Sequence, residues 1–199
     1  MESVENKIFN YVKVKPKGSI FFADDFIDFS TSKNINKALE RLHDSGKIAR
    51  VAMGIYVRPK VDKIIGSVLP TVEEIVKAIA KRDKARLIPT GAQALYQLGL
   101  SNQVPVNVVY YTDASARQIK IGKRTITFKK ATAKTLSLKG KISMLAIQAL
   151  KTIGQKTVKA EEVDFIQEKL KMEDKQLLQH DLNLAPAWIR ELLQNRKDA

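Results

Sequence analysis

Val4, Ile8, Phe9, Tyr11 and Val12 recur at helical spacing and predict a first helix that ends before the Pro16–Gly18 breaker. Ile20-Phe21-Phe22 is short, apolar and β-prone. Asp24 and Asp25 then put negative charge at the positive end of a brief second helix, which Phe26 and Phe29 anchor inward. Ser30, Thr31 and Ser32 are cap formers ahead of a third helix, where Ile35, Ala38, Leu39 and Leu42 make an i, i+3, i+4, i+7 stripe. Gly46 ends it as a left-handed cap. Lys47–Val51, a turn over Ala52, Met53 and Gly54, and Ile55–Arg58 read as a β-hairpin closed by Pro59. Helix, helix, basic helix, hairpin is the order of a winged helix-turn-helix, expected over residues 1–60.

Two prolines and a glycine between Arg58 and Pro70 mark a hinge, so residues 61–70 are expected to be a linker and 71–199 a second domain. Val72, Ile75, Val76 and Ile79 keep helical period behind a capping box of Thr71 and Glu74. Arg86 to Ile88 reads as a strand, Ala92 to Leu98 as a helix ending at Gly99, and Val104 to Tyr111 as a buried strand. Arg117 to Ala131 alternates around Gly122, giving a hairpin with one apolar and one lysine-rich face. Helices are expected near 140–153, 160–172 and 186–195. The fold class is α+β: an N-terminal winged helix-turn-helix, then a mixed α/β domain with a small basic sheet and C-terminal helices.

Charge sharpens this picture. The 199 residues carry a formal charge of +14, which points to a polyanion, nucleic acid first. On the third helix, the face opposite the apolar stripe carries Lys33, Lys37 and Arg41, flanked by Asn34 and Asn36, with Glu40 as its acid. Basic ends clamp phosphates, while Asn and Arg present the two-pronged hydrogen bonding that reads adenine and guanine edges. Arg50 and Arg58 on the hairpin reach the neighbouring backbone. Between Asp113 and Glu161 no acid occurs, while a basic patch of Arg117, Lys120, Lys123, Arg124, Lys129 and Lys130 lies there. A solvated face without a ligand is the competing reading of that block.

Without cysteine there is no disulfide, thiolate nucleophile or cysteine-based zinc site. The two histidines, His43 and His180, have no metal or triad spacing, the central strands lack the carboxylates a nuclease needs, and no P-loop occurs. No catalytic residue, metal or cofactor is expected. The first residues lack a secretory pattern and no apolar run is long enough to span a bilayer, so a cytoplasmic protein without membrane contact is expected.

The hairpin RVAMGIYVRP, then IPTGAQALYQLGL, then VPVNVVYYTDASARQIKIGKRTITFKKA, and finally DLNLAPAWIREL follow one another in an order that resembles the AbiEi-like antitoxins of type IV abortive-infection systems. The resemblance implies an N-terminal winged helix that represses its own operon. It also implies a C-terminal domain that counteracts a nucleotidyltransferase toxin. It puts DNA contacts on Ser32, Lys33, Asn34, Asn36, Lys37 and Arg41, and on the wing around Arg50 and Arg58. Thr90 is read as a helix cap, Gly91 as a point of close backbone approach, and Tyr96 and Trp188 as core aromatics. The expected partners are double-stranded operator DNA with an inverted repeat, bound by two copies, and the toxin or its RNA substrate. The alternative is an RNA- or protein-binding module that uses the basic second domain, with the winged helix as scaffold.

Overall fold

A computed structural model describes residues 2–64 and 66–194, and its architecture is mixed α+β. The chain divides into two compact units, one running to Lys84 and including Ile119–Gly122, the other holding Ala85–Gln118 and the chain from Lys123.

In the first unit, α1 (Val4–Lys13) starts at Ser3, whose hydroxyl accepts the Asn6 N–H, and turns Ile8 and Val12 inward. After the breaker comes β1 (Ile20–Phe22), followed by a 3-10 turn over Ala23–Phe26. The Asp25 carboxylate there accepts the Phe22 N–H at 2.8 Å. Helix α2 (Ser32–Asp44) buries the expected stripe of Ile35, Ala38, Leu39 and Leu42. Gly46, at φ +71°, takes the left-handed conformation that closes it, and the next amide, Lys47 N–H, returns to the Leu42 carbonyl at 3.0 Å. Strands β2 (Ala49–Ala52) and β3 (Ile55–Val57) form the hairpin, and β1 pairs antiparallel on the free side of β3, giving the order β1-β3-β2. Phe26 is fully buried at the centre, with the rings of Tyr11, Phe21 and Phe29 at 5.4, 5.8 and 5.8 Å. Those edge-on and tilted rings hold α1, β1 and the 3-10 turn together.

The segment 61–70 is more than a linker, because β4 (Lys60–Asp62) and β5 (Gly66–Val68) pair antiparallel. Helix α3 (Val72–Asp83) has its expected capping box, with Glu74 N–H to the Thr71 hydroxyl at 3.2 Å and Thr71 N–H to the Glu74 carboxylate at 2.7 Å. By its contacts α3 belongs to the first unit, whereas sequence spacing alone set it with the second.

The second unit holds β6 (Leu87–Thr90), α4 (Ala92–Leu98), β7 (Asn107–Thr112), β9 (Arg124–Lys130) and the first two residues of β8 (Arg117–Ile121). The strand order is β6-β7-β9-β8, with β7 antiparallel to β6 and parallel to β9. Then come α5 (Ala133–Leu136), α6 (Lys141–Ile153), α7 (Ala160–Leu170), α8 (Lys175–Leu184) and α9 (Ala187–Gln194). Helix α6 is the hub of this unit: Leu145, Ala146, Ile147, Ala149 and Leu150 are buried among Ala94, Leu98, Ile166, Leu182 and Ile189.

The start of α6 is closed by two carboxylates from distant sequence. Asp181 is fully buried and accepts the N–H groups of Lys139 and Gly140 at 2.7 and 2.8 Å, and the Ser143 hydroxyl at 2.7 Å. Glu173 accepts the N–H groups of Ile142 and Ser143 at 2.6 and 3.0 Å. The N–H groups of Gly140, Ile142 and Ser143 are thus satisfied from α8 and the loop before it. Burial pushes the Asp181 carboxyl up, but the bonds from Ser143, His180 and the backbone of Lys139 and Gly140 outweigh it and hold the group below its ordinary pKa.

Several local expectations change. Thr90 ends β6 and does not cap α4; the cap position is Gly91, at φ +60° and ψ −140°, with no side-chain bond. A Cβ at Gly91 would meet nothing within 4 Å, so the glycine is required by its backbone angles and not by close approach. Strand β7 begins at Asn107, so Val104 and Val106 lie ahead of it and are exposed, although they share the parity of its inward residues Val108, Tyr110 and Thr112. Tyr96 and Trp188 are half-buried, Trp188 at the margin of the α6 core. The end of the helix expected at 186–195 lies outside the described residues.

Candidate nucleic-acid interface

The inward stripe of α2 decides which side chains are left outside. Ser32, Lys33, Asn34, Asn36, Lys37 and Arg41 are all exposed on one helix, held against α1 and the 3-10 turn through Leu39 and Leu42. Among the described residues Lys33, Lys37 and Arg41 meet no carboxylate and no hydrogen-bond acceptor. Other cations of the same unit are committed: Lys47 lies 3.9 Å from Glu5 and 5.0 Å from the Phe9 ring centre, and Arg82 pairs with Asp83 at 2.8 Å. The Asn34 amide donates to the Ser30 hydroxyl at 3.1 Å, toward the start of the helix. That start is open, since the Thr31 side chain makes no cap bond and the first turn has no acid.

Between α2 and the β2–β3 hairpin lies a cleft of about 550 Å³. Asn36, Glu40, His43 and Asp44 form its helix wall, and Arg50, Met53 and Tyr56 its hairpin wall. Arg50 is exposed on β2, one residue before a register shift in the β2–β3 ladder. Met53 stands 86% exposed in the turn. Tyr56 is buried and stacked on Phe21 at 6.1 Å. Burial raises the pKa of its hydroxyl, with Arg50 lowering and Glu40 raising it, which places both charges within electrostatic reach of one phenol. Arg58 differs from Arg50: its guanidinium bonds the Lys15 carbonyl and so ties the end of the hairpin to the loop after α1.

Asp44, His43 and Tyr56 were not singled out from sequence as parts of this surface. The signal was present in part, because positions 36, 40, 43 and 44 share one flank of a helix. The hairpin side had none, since only the folded chain brings Tyr56 opposite Glu40. A face expected to be basic is therefore two-sided, with cations along Lys33, Lys37 and Arg41 and acids in the cleft.

The basic patch of the second half divides as well. Burial alternates along β8, turning Gln118 and Lys120 outward and Arg117, Ile119 and Ile121 inward. On β9, Ile126 and Phe128 are buried, so Thr125, Thr127 and Lys129 share the outer register. The outer sheet face thus carries Lys120 and Lys129 among threonines and a glutamine, not a row of lysines. Arg124 and Lys130 flank the buried register at the strand ends, Lys123 is in the turn, and the Arg117 guanidinium lies 5.2 Å over the Phe128 ring. Lys130 donates to the Asp113 carbonyl at 2.8 Å. Among the described residues no cluster of three metal-binding side chains occurs, and no helix is long and apolar enough to cross a membrane.

The model of DUF6088, a family of unknown function, matches residues 7–178. The chain belongs to that family. The match begins within α1 and ends within α8, so the DUF6088 pattern includes the α2 face, the hairpin and the β6–β9 sheet together. No curated protein matches the chain.

Proposed function

We propose that this DUF6088 chain is a DNA-binding repressor of the winged-helix type and the antitoxin of a nucleotidyltransferase toxin. The observation that carries the DNA-binding part is the uncommitted set of Lys33, Lys37 and Arg41 on the outer face of α2. A thirteen-residue helix is about 20 Å long. It fits a major groove about 12 Å wide when its opposite side is held by a core. The open first turn of α2 offers backbone N–H groups to a phosphate, Lys37 and Arg41 extend that contact, and Arg50 reaches the flanking strand. Asn36 and Glu40 face base edges, where Glu40 accepts from a cytosine amine and the acids of the cleft keep phosphate out. Arg58 acts through the hairpin's attachment.

The antitoxin part rests on the sequence resemblance to AbiEi-like proteins and is assigned to the second unit. Two copies on an inverted repeat supply the surface that one small module lacks. Binding of the full chain to the DNA upstream of its own gene, measured across salt, tests the reading. Changing Lys33, Lys37 and Arg41 together to alanine should flatten the slope of log K against log salt by roughly one unit per lost phosphate contact. An unchanged slope with a folded variant rejects α2 as the reading element.

A further inference from the structure

Thr132, Lys134, Thr135 and Lys151 surround a cavity of about 120 Å³ in the second unit, walled by Leu138 and Ile147. Lys134 belongs to α5 and Lys151 to the last turn of α6, so helices fix the backbone of both, and both side chains are exposed. Among the described residues neither ammonium meets a carboxylate. Burial and the nearby Lys134 charge both hold the Lys151 pKa below its ordinary value. Two like charges thus line one small opening, with no carboxylate beside them among the described residues.

The hydroxyls add direction. Thr132 Oγ1 accepts the Thr135 N–H at 3.2 Å and lies 3.0 Å from Thr135 Oγ1. One hydroxyl proton is used between the two threonines, and the other is left to donate outward. Volume selects the ligand's size: sites for whole small molecules span about 300–1,000 Å³, and this cavity of about 120 Å³ is well below that range. It takes a compact head group whose remainder stays outside. Charge selects its valence, because two lysines are balanced by a dianion, which a phosphate monoester is near neutral pH and a backbone diester is not.

We infer that the cavity formed by Thr132, Lys134, Thr135 and Lys151 binds a phosphate monoester, carried by a free mononucleotide or by the phosphorylated end of a polynucleotide. Both lysines pair with its oxygens, and the spare threonine proton donates to a third. None of these groups lies on α2, so this site stands or falls apart from operator binding.

Titration of the full chain with four probes, followed by backbone amide NMR, tests it: inorganic phosphate, adenosine 5′-monophosphate, and one short single-stranded oligonucleotide with either a 5′-phosphate or a 5′-hydroxyl. The phosphorylated oligonucleotide should bind about tenfold more tightly than its hydroxyl twin and shift the Thr135 and Lys151 amides. Lys151→Gln should abolish that preference. Lys134→Gln should do the same, and since both lysines are exposed neither substitution puts the fold at risk. Shifts at these amides with phosphate and the mononucleotide, but equal binding of the two oligonucleotides, would support the site and assign it to a free nucleotide. No shift with any probe, or a preference that survives both substitutions, overturns the inference.

Discussion

Helices α2 and α6 are equally long, thirteen residues each, and are used in opposite ways. In α2 only Ile35, Ala38, Leu39 and Leu42 are buried, the rest faces solvent, and its first turn is open. In α6 the buried set runs from Leu145 to Leu150 without a break and includes Ser143, while Asp181 and Glu173 close its first turn. A helix surrounded on most sides keeps little surface for a ligand, here only its last turn with Lys151, and its polar start must be satisfied from within. A helix with one buried stripe keeps its charges and its terminal N–H groups for something outside. The contrast is one of commitment: α6 holds its unit together, and α2 presents a face that its own unit leaves unused.

Leu39→Ala attacks the one side of α2 that is committed. With Leu39 fully buried, the substitution should cost about 3–4 kcal/mol and lower the melting temperature by about 10 °C. Denaturant unfolding with a helix-sensitive signal checks it. If the loss is small, α2 is not held by its stripe.

Asp181→Ala strikes the closed end of α6. It strands the Lys139 and Gly140 amides and the Ser143 hydroxyl in a buried place, at a cost of about 2–4 kcal/mol. Acid should narrow that gap. The carboxyl's folded pKa lies below its ordinary 3.8, so its stabilisation is complete above that value and is lost as pH falls through the folded value. Melting curves of the native chain and the variant at about pH 6 and about pH 3 should therefore differ more at the higher pH. A gap that does not depend on pH would mean the carboxylate's charge contributes nothing.

The smallest effect on stability belongs to the outer face of α2. Lys37→Gln should change stability by less than about 0.5 kcal/mol, since the ammonium touches no partner among the described residues. Any larger loss in thermal unfolding would show that the face is committed after all, and the comparison with α6 would fail.

Much of the first unit was legible because its signals are local. The α2 stripe, the left-handed Gly46 and the turn at Met53 and Gly54 each declare an element within a few residues. The α3 capping box was equally readable, though its packing partner was not. In the second unit α8 escaped notice, since Leu177, Leu178 and Leu182 make only a thin stripe and its strongest mark is the cap at Asp174, which accepts from Gln176 and Leu177 at 2.9 and 3.0 Å. The short helix α5 and the paired strands β4 and β5 were missed for a related reason: three or four residues hold too little of any period.

By itself the sequence determined the charge, the α+β class and which residues of α2 turn inward, because those depend on composition and on the 3.6-residue repeat. Tertiary structure alone decided that Tyr56 faces Glu40 across a cleft, and that Asp181 reaches back to the start of α6. It likewise decided that Lys134 and Lys151 share one opening. The reason is distance along the chain. A periodic pattern acts over one or two turns, whereas a hydrogen bond or a charge pair between residues far apart in sequence forms only once the hydrophobic cores have brought their elements together.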